Sequence, residues 1–172
     1  KYIDKKMINL PNPIGTILTH KDAWQKMIDN NLNNCVFFED DVFFLKEFNI
    51  NFNNFMESVP NDWSVLQFGQ LPANFRYNNV NQKDEKINKY VIKQWSSISG
   101  AHFYGLNKRT AKILIDNLYP IYKAVDGYIG DMTNPWSKKK GIILQSYAPV
   151  KCFAVDCSHD NGQGVKFESH GI

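Results

Sequence analysis

The sequence predicts an α/β domain with a largely parallel sheet flanked by helices. Short apolar runs, Cys35 to Phe38, Trp63 to Phe68, Tyr90 to Trp95 and Tyr147 to Val150, have the length and content of strands. Segments with apolar residues at helical spacing fall between them, and strands alternating with helices mark this class. With 172 residues, 43% apolar and 14% aromatic, the chain is long enough for one sizeable core, and no repeat or linker marks a second domain. Residues 1–172 are therefore read as one domain, with a connector over 1–13, a core over 14–150 and a tail over 151–172.

The connector is expected to be irregular because Pro11 and Pro13 block regular pairing. Ile17, Leu18, Trp24, Met27, Ile28 and Leu32 then recur at near-helical spacing, which predicts a helix over 14–31 beside the strand that follows; His20 inside it reads as a packing residue. Cys35-Val36-Phe37-Phe38 reads as a buried central strand, and it ends in Glu39-Asp40-Asp41 before Val42-Phe43-Phe44-Leu45. A short helix near 50–58 carries Phe52, Phe55 and Met56, and Pro60-Asn61-Asp62 is a turn. The next strand ends at Gly69, where the backbone can turn sharply or approach a ligand closely. Leu71 to Lys89 is polar and without period, as in a lid or substrate loop. Gly100 and Gly105 bracket Ala101-His102-Phe103-Tyr104, and Asn107 is placed to cap a helix bearing Ala111, Leu114, Ile115 and Leu118, with Pro120 beyond its end. Ile142-Ile143-Leu144 and Tyr147 to Val150 read as further strands, and a loop-rich tail holds His159 and His170.

Composition excludes some functions. The formal charge is only +3 and the lysines are scattered apart from Lys138-Lys139-Lys140, so no nucleic-acid footprint is expected. No window approaches the length of a membrane span. Cys35, Cys152 and Cys157 make neither a disulfide framework nor a four-ligand zinc set; Cys152 and Cys157 would pair only in an oxidising compartment, and a soluble domain is expected, the cytoplasm being favoured over a secretory lumen without the compartment being fixed. The chain opens on Lys1, as a processed or trimmed product would.

The chemistry concentrates at Glu39-Asp40-Asp41. Three consecutive carboxylates repel one another unless a cation lies among them, and hard ions such as Mg²⁺ and Mn²⁺ take oxygen ligands of this kind. A strand end merely solvated by its acids is the other reading.

The landmarks Gly15-Thr16-Ile17-Leu18-Thr19-His20 with Trp24, Phe38-Glu39-Asp40-Asp41-Val42, Gly100-Ala101-His102-Phe103-Tyr104-Gly105-Leu106 and Val125-Asp126 together resemble the family 25 glycosyltransferases. The likeness covers roughly 14–150. It implies a GT-A type, Rossmann-like domain that binds a nucleotide sugar, UDP-linked, with Mn²⁺ held against the diphosphate by the acidic strand end. The acceptor implied is a hydroxyl on a glycan or protein, and galactose or glucose is the sugar implied. His159-Asp160-Asn161-Gly162 is similar to a His-x-Asn-Gly element of the related lysyl hydroxylase enzymes, which implies His159 as a further metal ligand and Asn161-Gly162 as a turn near the phosphates.

The family's opening strand and its Asn-Leu-Asp-Arg-Arg-like segment have only a faint echo in Ile8-Asn9-Leu10, so the first nucleotide-binding strand is expected to be trimmed, supplied by a neighbouring segment or absent. Glu168-Ser169-His170 also departs from the Ser-Asp-Ile common in the family. Within the implied site, Asp41 is the first choice for the metal, Asp40 the second, and Glu39 points the other way if alternation persists. Gly69 and Gly100 are assigned to the nucleotide pocket. An inverting transfer needs a base near the acceptor, for which Asp126 is the candidate with Asp131 behind it; a helix N-cap is the other role open to Asp126. Trp95, Tyr104 and Trp136 are placed to stack on a sugar, or in the core. A catalytically silent binding domain, or a metal-dependent phosphoryl-transfer or hydrolase domain, are the competing functions.

Overall fold

The structure, a computed structural model, describes residues 2–70, 84–95, 100–136, 142–151 and 153–156. Its elements run α1 (Pro11–Asp29), β1 (Asn34–Phe38), β2 (Val42–Phe44), α2 (Phe48–Ser58), β3 (Val65–Gln67), β4 (Gly69–Gln70), β5 (Glu85–Lys86), β6 (Val91–Lys93), β7 (Phe103–Asn107), α3 (Lys108–Asp116), α4 (Val125–Thr133), β8 (Ser146–Pro149) and β9 (Ala154–Asp156).

Six strands form one open mixed sheet in the order β1-β7-β3-β8-β6-β5, and β2, β9 and β4 form a smaller one. The arrangement is compatible with a Rossmann-like fold. It is not the largely parallel sheet expected, however. In the large sheet only β3 and β8 pair in parallel; β1 with β7, β3 with β7, β8 with β6 and β6 with β5 are antiparallel. Two of these four antiparallel pairs come from the insertion of β7 between β1 and β3, and the other two from β6. Strands β1, β3 and β8 still point the same way, so their carboxyl ends share one edge, and β7 starts from that edge.

β1 is also an edge strand, not a buried central one. Cys35 and Phe37 face inward while Val36 and Phe38 are exposed, a period-two pattern hidden in a run whose four residues are all apolar. Ile142 to Leu144 is not a strand, because the Leu144 N–H donates to the Met132 carbonyl at the end of α4 and not to a ladder. The first helix begins at Pro11, so residues 11–13 belong to it and not to a connector. Pro is suited to the first helical position, where its missing N–H would have had no partner in the helix. The helix ends at Asp29 in a Schellman motif with Asn31 at φ 55°: the N–H of Asn31 donates to the Ile28 carbonyl and that of Leu32 to Met27. Within the polar stretch read as a loop, Glu85–Lys86 pairs with β6, while 71–83 lie outside the described residues. Before α1, the described residues make an isolated bridge between Ile3 and Ile121 and no strand.

Alternation divides the core. One face of the sheet presents Val65, Tyr104 and Leu106 to Ile17, Trp24 and Met27 of α1, Leu114 of α3 and Ile129 of α4. The other presents Leu66, Phe103 and Tyr147 to Phe55 of α2, with Phe68 and Phe153. Here the rings of Phe48, Phe52, Phe55, Phe68, Phe103 and Phe153 interlock at centroid separations of 4.9 to 6.2 Å. Edge-to-face and tilted aromatic pairs of this kind add to the burial of the rings themselves. As expected, Asn107 caps α3, its side chain accepting from the Thr110 N–H at 2.9 Å while its amide donates to the Trp63 carbonyl.

Candidate active site

The acids follow β1 directly. The Glu39 N–H donates to the His102 carbonyl at 2.9 Å, prolonging the β1–β7 ladder by one residue, and the chain then turns back into β2. Alternation therefore carries through to Glu39, whose side chain lies on the α1 face with Cys35 and Phe37. There its Oε1 lies 3.2 Å from His20 Nε2. Asp40 is exposed in the turn, and Asp41 is half-buried with Oδ1 closed off from solvent.

Beside the turn, Gly69, Gly100 and Asp126 meet through a residue that sequence reasoning passed over. Gln67 is buried, and its amide donates to the carbonyls of Gly69 at 3.0 Å and Gly100 at 2.7 Å. The Gly100 N–H donates to Asp126 Oδ2 at 3.3 Å, and Asp126 Oδ1 accepts from the Gly127 N–H at 2.6 Å. Asp126 is thus the second residue of α4; the N-cap is Ala124, so the cap reading of Asp126 does not hold. An acid in a first helical turn is favoured by the helix dipole. The signal for Gln67 was present: an amide inside an apolar strand run has to be satisfied, and in a strand ending at glycine the nearest acceptors are main-chain carbonyls.

Both glycines have structural reasons. Gly100 has φ 82°, which L side chains rarely adopt. At Gly69 an added Cβ would lie 2.3 Å from His102 Nε2, so the close approach there is made by the buried imidazole of His102. Tyr104, a candidate for sugar stacking, is instead core: only 1% exposed, its phenol pushed above its ordinary range by burial. Trp95 lies under the Lys93 ammonium, 4.5 Å from the ring centroid, and Trp136 is exposed. Asp131 is ion-paired with Lys123 at 2.8 Å and lies beside Tyr122, which burial and then the Asp131 charge push up to about 12.

His159, Asn161, Gly162 and His170 lie outside the described residues, as do Cys152 and Cys157. Among the described residues no three His, Cys, Asp or Glu side chains gather into a metal cage. A hard divalent ion bound together with a diphosphate needs only one or two protein carboxylates, and the neighbouring Asp40 and Asp41 match that donor set. Glu39 faces the helix instead.

The carboxyl edge of β1, β3 and β8 thus carries the acidic turn, two glycine carbonyls fixed by one amide, and a helix-start carboxylate. The family model of glycosyltransferase family 25 (LPS biosynthesis protein) matches residues 11–129, more than half of the chain. The chain belongs to glycosyltransferase family 25. The matched span holds the acidic turn, Gln67, Gly69, Gly100 and Asp126, and it ends inside α4, short of Asp131. Comparison with curated proteins finds no match. Family 25 membership makes glycosyl transfer the general activity, with a sugar donor and an acceptor as its substrates. Among the described residues no helix is long and apolar enough to cross a membrane.

Proposed function

We propose that this family 25 domain transfers a hexose, galactose or glucose, from a UDP-sugar to a hydroxyl of a glycan or protein, on a sheet of the GT-A type. The observation that carries this reading is the coincidence, inside the family-matched span, of an acidic turn and the Asp126 carboxylate, both tied to the start of β7 at the carboxyl edge of the sheet. Ligands of open α/β sheets bind at that edge. The family's association with LPS biosynthesis favours a glycan acceptor.

In the reaction the acceptor oxygen attacks the anomeric carbon and the bond from that carbon to the diphosphate oxygen breaks. Asp126 takes the hydroxyl proton, and UDP departs with the bonding pair. The bonds from Gly100 and Gly127 hold the Asp126 carboxylate in one orientation. Gln67 holds the carbonyls of Gly69 and Gly100, fixing the two loops that would border the nucleotide. Mn²⁺ or Mg²⁺, held by Asp41 and Asp40, would offset the charge developing on the diphosphate. His159 is the further ligand proposed from the tail, with Asn161-Gly162 beside the phosphates.

Thermal shift with UDP, with and without Mn²⁺, tests the binding half. Wild type should be stabilised by UDP only with the metal, and Asp41→Asn should lose that stabilisation while folding normally, since an amide is a poor substitute for a carboxylate at a hard ion. An equal shift in the variant would remove Asp41 from the site. UDP binding without turnover of any UDP-sugar would instead identify a silent binding domain.

A further inference from the structure

Three stretches far apart in the sequence meet in one hydrogen-bonded chain behind the acidic turn. Trp24 Nε1, which can only donate, lies 2.8 Å from Tyr104 Oη; that oxygen lies 2.7 Å from His20 Nδ1; and His20 Nε2 lies 3.2 Å from Glu39 Oε1. Trp24 and Tyr104 are fully buried and the His20 ring nearly so. Tyr104 is clamped between Phe37, stacked at 5.2 Å between ring centroids, and the tilted ring of His20 at 5.6 Å.

With a neutral imidazole the donors and acceptors pair in only one direction. The Glu39 carboxylate can only accept, so the ring proton lies on Nε2 and is donated to Glu39, Nδ1 accepts from the Tyr104 hydroxyl, and that oxygen accepts from the indole. The same Glu39 is pinned through its N–H to the His102 carbonyl, while the His102 ring packs on Gly69. Glu39 is therefore fixed at both main chain and side chain, on the sheet face opposite Phe38 and Val36.

We propose that His20 is a positioning residue for the acidic turn: it anchors Glu39 to α1 and thereby sets the direction in which Asp40 and Asp41 are presented to the donor diphosphate. Glu39 is then the anchor of the turn and not a metal ligand. This explains why a histidine and a tryptophan, four residues apart on one helix face, accompany an acidic triplet. Groups that orient a metal's ligands through hydrogen bonds, without touching the metal, typically carry ten- to hundredfold effects.

The role presupposes the transfer reaction proposed above, and the measurements separate the two. His20→Ala, Glu39→Ala, Glu39→Gln and the double His20→Ala/Glu39→Ala variant are assayed for UDP release from a UDP-sugar. Each alanine variant should lower kcat/KM for the donor roughly ten- to hundredfold, the double variant no more than the worse single one. Glu39→Gln keeps an oxygen to accept from His20 and should regain about tenfold over Glu39→Ala. Losses that multiply in the double variant, or a glutamine variant no better than alanine, overturn the proposal, the latter because it would show that the carboxylate itself is needed. Should His20→Ala fail to fold, the two Glu39 variants, at a half-exposed position, still decide it. Should wild type turn over no UDP-sugar, the transfer reading falls, and a long-range ¹H–¹⁵N spectrum of the His20 ring still reads the relay. A proton on Nε2 is expected there, and a proton on Nδ1 in the neutral ring would break it.

Discussion

Replacing Gly69 by alanine puts a methyl where the His102 ring now is. The added Cβ would lie 2.3 Å from Nε2 and 2.7 Å from Cδ2 of that ring, and 3.1 Å from Phe103 Cβ. Reaching an ordinary contact of 3.4 Å obliges the imidazole to retreat by about 1.1 Å. His102 is 1% exposed, and a close-packed interior leaves its ring little room to retreat, so the strain passes to the neighbouring backbone. Overpacking of this kind costs about 1–3 kcal/mol, which for a domain of this size lowers Tm by roughly 3–10 °C. The His102 carbonyl accepts from the Glu39 N–H, so the same displacement reaches the acidic turn and should weaken UDP binding as well as the fold. Differential scanning calorimetry of Gly69→Ala, in the wild-type and in the His102→Ala background, reads both the cost and its cause. In the second background the ring is gone and the alanine should cost less. A variant melting within about 1 °C of wild type, a shift worth well under 1 kcal/mol, or a cost equal in both backgrounds would refute the reasoning.

Tyr104→Phe removes the hydroxyl shared by Trp24 and His20, leaving a buried indole N–H without its acceptor, and should lower the chemical-denaturation free energy by about 1–3 kcal/mol. Asn107→Ala removes the α3 cap and should lower that free energy by about 1 kcal/mol, with little change in UDP binding. Tyr122 and Tyr147 are both pushed up to about 12, by burial first, then by Asp131 for Tyr122 and by the hydrogen bond to Asp62 for Tyr147. Because the folded state disfavours their phenolates, the stability they contribute is complete below the ordinary tyrosine value of 10 and is lost as pH rises toward 12. Part of the absorbance rise at 295 nm should therefore lag behind the ordinary tyrosine transition, together with loss of far-UV circular dichroism; a single transition centred on pH 10, the ordinary value, would count against the burial of these rings.

Local rules read well in this sequence. Asn107 caps its helix because a side-chain acceptor three residues before a free N–H needs no distant partner. The α1 face Ile17, His20, Trp24, Met27 follows from helical spacing alone. What could not be read was pairing. Nothing in Cys35 to Phe38 tells that β7 enters between β1 and β3, nor that β6 runs against its neighbours, so an apolar run that looked central became an edge strand, and a mixed sheet expected to be largely parallel became mostly antiparallel. Ile142 to Leu144 has strand composition, yet its backbone goes to α4. At the site, the acidic turn and Asp126 were visible as charged residues among apolar ones. Gln67 and the His20–Glu39 contact join positions up to 33 residues apart, and only the folded chain brings them together.

Whether this edge of the sheet transfers a sugar with Asp126 as the base is decided by UDP release. Wild type and Asp126→Asn are compared with UDP-galactose and UDP-glucose in the presence of Mn²⁺ and a glycan acceptor. The amide keeps an oxygen to accept from Gly100 or Gly127 but cannot take the acceptor proton, so kcat should fall at least about a hundredfold, with UDP affinity and Tm little changed. Equal turnover in the two proteins would exclude Asp126 as the base.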